Sequence, residues 1–461
     1  MRDNSLAPTF TFIGKPNNGK SSIISVLTMD DRIEVSPTVG TTTVANRYSY
    51  IYKGESVAHF YDTPGFERAR EIYRFIKGST ETQSYFGNRV FYEFIKEHEG
   101  DESFFKDIEI LKAILDSDFI IFVINSSQKF NLHVTGNELE ILKSIEKPVL
   151  ILFNQIEKEN FQTQWEENLQ KFGFEEYFVF NPLKSGYSEI EKLFEKLYTL
   201  KKSDIDKRYL EFILKTHKKH FEENLNQSII VIADMLLEML QFEYIYRFTS
   251  SKLSTEQKQE ALDRYRKKLF AIEQKRRKQI NEIWGYHQIQ IVDIQTSIDA
   301  KENLHLGLTK EKLVALGALG GATLTSPLAM FDFGISMIGG AVVGGVGAYY
   351  ASDKLFLGIL QNKKLIYTVE KKNVNVSFIL IKRALEHLYR LVQHGHANRE
   401  AIVIPEDISQ WRFGEEFEFT KQQTKQITKI HQAFIEDKDA LEAKKELEKL
   451  LKSLIEKELV V

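Results

Sequence analysis

At 461 residues the chain is long enough for about two or three domains with real cores. Its 62 basic and 65 acidic residues leave a formal charge of −3, which excludes a global basic field for bulk nucleic-acid binding. With no cysteine, disulfides, thiolate nucleophiles and cysteine-ligated metals are excluded, which fits a reducing compartment. The polar N-terminus lacks the charged-then-apolar layout of a secretory signal, so a cytoplasmic location is expected.

Thr9 to Ile13 is a short β-branched and aromatic run and reads as a buried strand. Gly14 to Ser21 then fits Gly-x-x-x-x-Gly-Lys-Ser, and Ile23, Ile24, Val26 and Leu27 follow at helical spacing. Strand, glycine loop and helix together make a phosphate site, because loop amides and a helix N-terminus converge on anions. The binding residues are then Asn17, Asn18, Gly19, Lys20, Ser21 and Ser22. Lys20 reaches the β- and γ-phosphates, Ser21 ligates Mg²⁺, and the Ser22 amide serves the α-phosphate.

Pro37 to Thr43 is a hydroxyl-rich loop, followed by a predicted hairpin of Val44–Tyr52 and Val57–Tyr61 about a turn at Lys53-Gly54-Glu55. Directly after it stands Asp62-Thr63-Pro64-Gly65. A carboxylate there holds a Mg²⁺-bound water, and the Gly65 amide can approach a γ-phosphate because no side chain intervenes. Residues 66–117 read as an enlarged switch region with one or two helices, ending near Ile108–Leu115. Asp118–Asn125 is a continuous apolar strand of the kind central parallel strands show. A helix at Asn137–Glu146, a strand at Pro148–Phe153, a helix at Thr163–Lys171 and a strand at Tyr177–Phe180 follow. The loop Asn181–Gly186 and a last helix, Ser188–Leu200, close a doubly wound α/β domain over 1–200.

The phosphate loop, Asp62-Thr63-Pro64-Gly65, Asn154-Gln155-Ile156-Glu157 and the Gly186 loop resemble the TrmE–Era group of translation-factor-type P-loop GTPases, over about residues 8–200. The resemblance implies a guanine nucleotide as ligand. Asn154 would take the guanine O6 or N7 edge, and Glu157 would stand where the family has an aspartate. Gln155 would stand where it has a lysine along the base. The family motif is Asn-Lys-x-Asp; this chain departs from it, and weakened guanine affinity is expected. Asn181 is counted with the nucleotide-contacting residues. Thr42, with Thr41 as the alternative, matches the Mg²⁺-sensing threonine. Phe66 stands where Ras-type switches carry a water-orienting glutamine. Asn17 matches the asparagine that helps hold K⁺ in TrmE-like proteins, so slow hydrolysis, accelerated by K⁺ or by G-domain pairing in a homodimer, is implied. The residues assigned to catalysis are Asn17, Lys20, Thr42 and Gly65, and those assigned to Mg²⁺ are Ser21, Thr42 and Asp62.

From residue 201 to 461 strand patterns vanish and an all-α domain is expected, with long helices at Tyr209–Tyr244 and Thr255–Trp284. The cluster Arg264, Arg266, Lys267, Lys268, Lys275, Arg276, Arg277 and Lys278 reads as a solvated face or a phosphate- or lipid-facing patch. Across Leu313–Ser352 the single charge is Asp332, and Gly317-x-x-x-Gly321 and Gly340-x-x-x-Gly344 place small residues on one helix face. Two readings stand: a buried glycine-rich hairpin, or one that meets a membrane or membrane protein at the cell periphery. His394 and His396 suggest a structural or surface role, since no further metal ligand is near in sequence. Asp437–Val461 reads as a charged helix with an apolar stripe that includes Leu441 and Leu447. The glycine-rich stretch Leu316-Gly317-Ala318-Leu319-Gly320-Gly321-Ala322 and His394-Gly395-His396-Ala397 also resemble the helical domain of unknown function behind the G domain in a bacterial group of Era-type GTPases. The reading as a whole is a GTP-dependent switch whose helical domain relays nucleotide state. The alternatives are a dynamin-like membrane-remodelling GTPase and a ribosome or tRNA assembly factor.

Overall fold

A computed structural model describes residues 7–33, 44–82, 87–154, 161–200, 204–242, 244–247, 255–289, 291–293, 358–362, 366–370, 374–404, 411–414 and 417–459. The chain forms two compact units. The first comprises Met1–Glu223, Gly285–Gln288 and Gln393–Glu400; the second comprises Asn224–Trp284, Ile289–Val392 and Ala401–Val461.

The first unit is built on strands β1 (Thr9–Ile13), β2 (Asn46–Tyr52), β3 (Glu55–Asp62), β4 (Phe119–Asn125), β5 (Val149–Asn154) and β6 (Tyr177–Phe180). They form one sheet in the order β2-β3-β1-β4-β5-β6. Only the β2–β3 pair is antiparallel; β1 lies parallel between β3 and β4. Side chains alternate across the sheet with period two. Phe119, Ile121 and Val123 of β4 enter one core with Phe10, Phe12 and Leu27. Ile120, Phe122 and Ile124 enter the other with Ile13, Ile72 and Phe91. Both faces of β4 are therefore apolar, which is why its sequence shows no alternation. Its C-terminal end lies beside that of β1, where the strand order switches and open α/β sheets place ligands.

Helices α1 (Lys20–Thr28), α2 (Ala69–Glu81), α3 (Arg89–His98), α4 (Phe105–Asp116), α5 (Leu132–Lys143), α6 (Gln162–Lys171) and α7 (Tyr187–Thr199) cover the sheet. The switch region thus holds three helices where the sequence suggests one or two. Gly87 and Gly100, at φ 56° and 91°, punctuate it. Helix α5 starts five residues before its expected Asn137 because Asn131 caps it, its Oδ1 accepting from the His133 amide at 3.1 Å.

The second unit is mainly helical. It contains the later part of α8 (Asp204–Gln241), then α9 (Thr255–Ile283), α10 (Asn375–Gln393, all but its last residue), α11 (Lys421–Glu436) and α12 (Ala440–Leu459). The all-α expectation needs one amendment. Strands β7 (Tyr244–Arg247), β8 (Ile291–Asp293), β9 (Gly358–Asn362), β10 (Ile366–Glu370) and β11 (Ile402–Ile404) pair as β7-β10-β9 and β11-β8. At three to five residues each, they are too short to impose a readable period. Helix α10 carries charge into this core: Glu273 Oε1 accepts from Arg277 at 2.6 Å and from Arg383 at 2.5 Å, all three side chains being buried. Arg277 therefore leaves the basic cluster for the interior, whereas exposed Arg264 pairs with Glu260. In α12, Leu447, Leu450, Leu451 and Leu454 are buried and Leu441 is exposed. The glycine-rich stretch 313–352 lies outside the described residues, among which no helix is long and apolar enough to cross a membrane.

Candidate functional site

Between β1 and α1 the chain makes a tight collar. Gly14 has φ 145° and faces the Val123 carbonyl, where a Cβ would collide with its oxygen. Gly19, at φ 86°, is the residue before α1, and a Cβ there would collide with the Asn154 amide. Both glycines are therefore demanded by backbone conformation and by close approach. Asn18 braces the loop: its Nδ2 donates to Val123 O at 2.7 Å, and its carbonyl accepts from Asn154 Nδ2 at 2.8 Å. Lys20 lies within the collar, its Nζ donating to Gly14 O at 2.9 Å and Lys15 O at 3.1 Å. Burial lowers its pKa, against the opposing pull of Asp62 and Glu138.

Ser21 and Asp62 meet at the edge of this collar, the hydroxyl donating to Asp62 Oδ2. Asp62 is buried, its Oδ1 has no hydrogen-bond partner, and burial raises its pKa. Thr63, next in the chain, is fixed by donating to Phe12 O at 2.7 Å. Gly65 lies against the loop, since a Cβ there would meet Pro16 Cδ at 2.7 Å. Asn17 sits at φ 63° with its side chain exposed, and the side chain of Ser22 is buried.

Asn154, at the end of β5, is buried with Oδ1 unpartnered. Asn181 turns its side chain on its own loop, Oδ1 accepting from the Leu183 amide at 3.0 Å. The structure thus brings Asn17, Asn18, Gly19, Lys20, Ser21, Asp62, Gly65 and Asn154 around one collar. Thr41, Thr42, Gln155 and Glu157 lie outside the described residues.

Several residues at this site escape sequence reasoning. Lys15 donates to Thr135 of α5 at 3.2 Å. One turn on, Glu138 is buried with Oε2 unpartnered. Burial pushes its pKa up to about 7; Lys15 and Lys20 oppose that rise and Asp107 adds to it. Asp107, in the first turn of α4, accepts from the Glu67 and Arg68 amides at 3.0 and 3.2 Å. These carboxylates belong to no motif; their role follows from tertiary contact alone.

A second group closes on the far end of α1. The buried Asp31 carboxylate accepts from the His287 amide at 2.9 and 3.0 Å and from the Gln288 amide at 2.9 Å. Arg399 donates to the Asp31 and Ile33 carbonyls. Tyr286 stacks on His396 at 4.1 Å between ring centroids, and its hydroxyl donates to His394 O. Gly285 and Gly395 lie flat against Met29 and Pro182–Leu183, respectively. The His394-Gly395-His396-Ala397 motif is thus a packing element, with Ala397 in the same core as Phe10 and Ile24.

A family model described as 50S ribosome-binding GTPase matches residues 9–155, and one described as domain of unknown function (DUF3482) matches residues 166–456. The chain is 26% identical over 151 residues to a probable GTP-binding protein EngB of Mesomycoplasma hyopneumoniae, covering 33% of this chain and 69% of that protein. It is 27% identical over 168 residues to GTPase Der of Streptococcus agalactiae, covering 35% of this chain and 32% of Der. The crystal structure of Aquifex aeolicus Era bound to GDP and aluminium fluoride aligns at 13% identity and a TM-score of 0.29, covering 61% of this chain and 99% of that one. The chain belongs to the DUF3482 family, with a region that matches a GTPase family model preceding the one that defines it.

Proposed function

We propose that the chain is a Mg²⁺-dependent GTPase switch, and that residues 285–288 and 393–400 report its nucleotide state to the helical region. Asn154 supports guanine recognition: its amide has two N–H groups, and one is used on Asn18 O. The other is left for the O6/N7 edge, with Gln155 and Glu157 completing the base site and Asn181 shaping the adjoining loop. Lys20 would meet the β- and γ-phosphates, with the amides of Asn17 to Ser22 around them.

The residues at the collar suit a hard divalent cation, because a hydroxyl and a carboxylate adjoin and one buried oxygen of Asp62 lacks a partner. Ser21, Thr42 and Asp62 would hold Mg²⁺, the last through water. When bound, the ion neutralises phosphate charge. Asn17, exposed at positive φ, is available to a monovalent cation, which supports K⁺ as an accelerator of hydrolysis.

The observation that carries the relay is the grip on Asp31. Asp31 precedes the hydroxyl loop by a few residues, and Gly395 packs on Pro182–Leu183, next to Asn181. Residues 393–400, whose Arg399 also donates to the Asp31 carbonyl, therefore touch the flanks of both loops, so a rearrangement of either one strains them. Hydrogen exchange of peptides spanning 285–288 and 393–400, with GDP and with a non-hydrolysable GTP analogue, tests this. Protection should differ between the two nucleotides; identical protection overturns the relay.

A further inference from the structure

The segment between β3 and β4 supplies the loop after Asp62 with an anchor that no motif announces. Residues Gly65 to Arg68 lie between β3 and helix α2. At one end Gly65 lies against Pro16, with Gly14 O and Lys15 Cα each 3.4 Å from where a Cβ would stand. At the other end Arg68, the residue before α2, makes no side-chain cap of its own. The cap comes instead from Asp107, some forty residues along the chain, whose Oδ1 accepts from both the Glu67 and Arg68 amides. Free N–H groups at a helix start need such an acceptor, and a carboxylate there also favours the helix dipole.

The neighbours of Asp107 hold the same two residues. Lys106 pairs with Glu67 at 2.5 Å, Arg68 Nε donates to Ser103 O at 2.9 Å, and its guanidinium lies 5.1 Å from the centre of the Phe104 ring. Asp107 itself is fully buried, and its second oxygen has no hydrogen-bond partner. A buried carboxylate with an idle oxygen is costly, and its two amide bonds are what offset that cost.

We propose that Asp107 is a positioning residue for GTP hydrolysis: by capping the Glu67 and Arg68 amides it fixes the Gly65 amide against the phosphate loop. Gly65 is two residues from the first held amide, so the chain between them allows at most roughly 7 Å of reach. Phe66 has no polar group with which to orient water, and, half-buried, it packs against the core that contains Ile72 and Phe91. The rate therefore depends on how accurately this main chain is held, and misplacement by about 1 Å can cost about a hundredfold.

This inference rests on the GTPase reading, and the test separates the two. Single-turnover GTP hydrolysis and GDP affinity are measured on the full chain with Mg²⁺ for wild type, Asp107→Ala, Asp107→Asn and Glu67→Pro. Asp107→Ala should slow hydrolysis about tenfold to a hundredfold while GDP affinity, which needs no γ-phosphate contact, stays within about twofold. Asp107→Asn keeps an acceptor oxygen and should recover most of the rate. Glu67→Pro removes one donor from an exposed position and should slow hydrolysis as well. If Asp107→Ala fails to fold, the Asn and Pro variants decide. Wild-type rates in Asp107→Ala or Glu67→Pro, or equal losses of GDP affinity and hydrolysis, overturn the positioning role. A wild-type chain that neither binds GDP nor hydrolyses GTP overturns the GTPase reading itself.

Discussion

Asp31→Ala removes the acceptor that holds the Gly285–Gln288 stretch. Its carboxylate takes amide hydrogen bonds from His287 and Gln288, all between 2.9 and 3.0 Å. A hydrogen bond to a charged group contributes about 1.5–3 kcal/mol, and because His287 and Gln288 are solvent-accessible, water recovers part of that after truncation. Two donors at the reduced value of about 1–1.5 kcal/mol each give a local loss of about 2–3 kcal/mol. At a factor of ten per 1.4 kcal/mol, the His287 and Gln288 amides should exchange about 30- to 150-fold faster in the variant. Asp31→Asn, with one acceptor oxygen left, should fall between. Native-state hydrogen exchange followed by mass spectrometry reads this directly. Exchange within threefold of wild type would refute the assignment of the carboxylate as the anchor. The same 2–3 kcal/mol also caps the coupling that this contact can transmit, since a ligand shifts a conformational equilibrium only by its differential affinity.

Calorimetry on wild type and Lys20→Ala should show micromolar GTP and GDP binding, weaker ATP binding and a large loss in the variant; ATP binding as tight as GTP removes Asn154 and Glu157 from base selection. Turnover should be faster in K⁺ than in Na⁺ across a protein concentration series, and equal rates dispose of the role given to Asn17. His217, buried between Tyr187 and Tyr50, has its pKa lowered to about 3 by burial. The unfolded chain takes up this proton near pH 6.5 and the folded chain does not, so stability present above that pH is lost as pH falls toward 3. From pH 6.5 to 5 that amounts to about 2 kcal/mol at 1.36 per unit. His217→Phe should flatten that part of the pH dependence in urea titrations, and an unchanged slope sinks the argument.

Much of the G domain was legible because its signals are local. Tyr177–Phe180 is a strand as read from its residues, and the collar follows from Gly14, Gly19 and Lys20 alone. Boundaries slipped where a cap outweighed periodicity: Leu132 and Val134 are exposed, so α5 begins with residues that carry no core pattern. The switch region was under-read because its apolar residues, such as Ile72, Phe91 and Leu111, meet in one core from three separate helices. Asp31, Asp107 and Arg399 give no signal, since their partners lie 39 to 368 residues away in sequence. Glu138 was silent for the same reason: an acidic residue in a helix reads as solvated until its neighbours are known.

The first unit is assembled from three separate stretches, ending with Gln393–Glu400. On the ribosome, its first 223 residues emerge long before position 400. At about 5–20 residues per second, the intervening 177 take roughly 10–35 s to synthesise. Asp31 lacks its amide partners until Gln288 has been made, and Ala397 is missing from the interior throughout that interval. The nucleotide-binding unit thus completes its maturation only after residues 393–400 have been made.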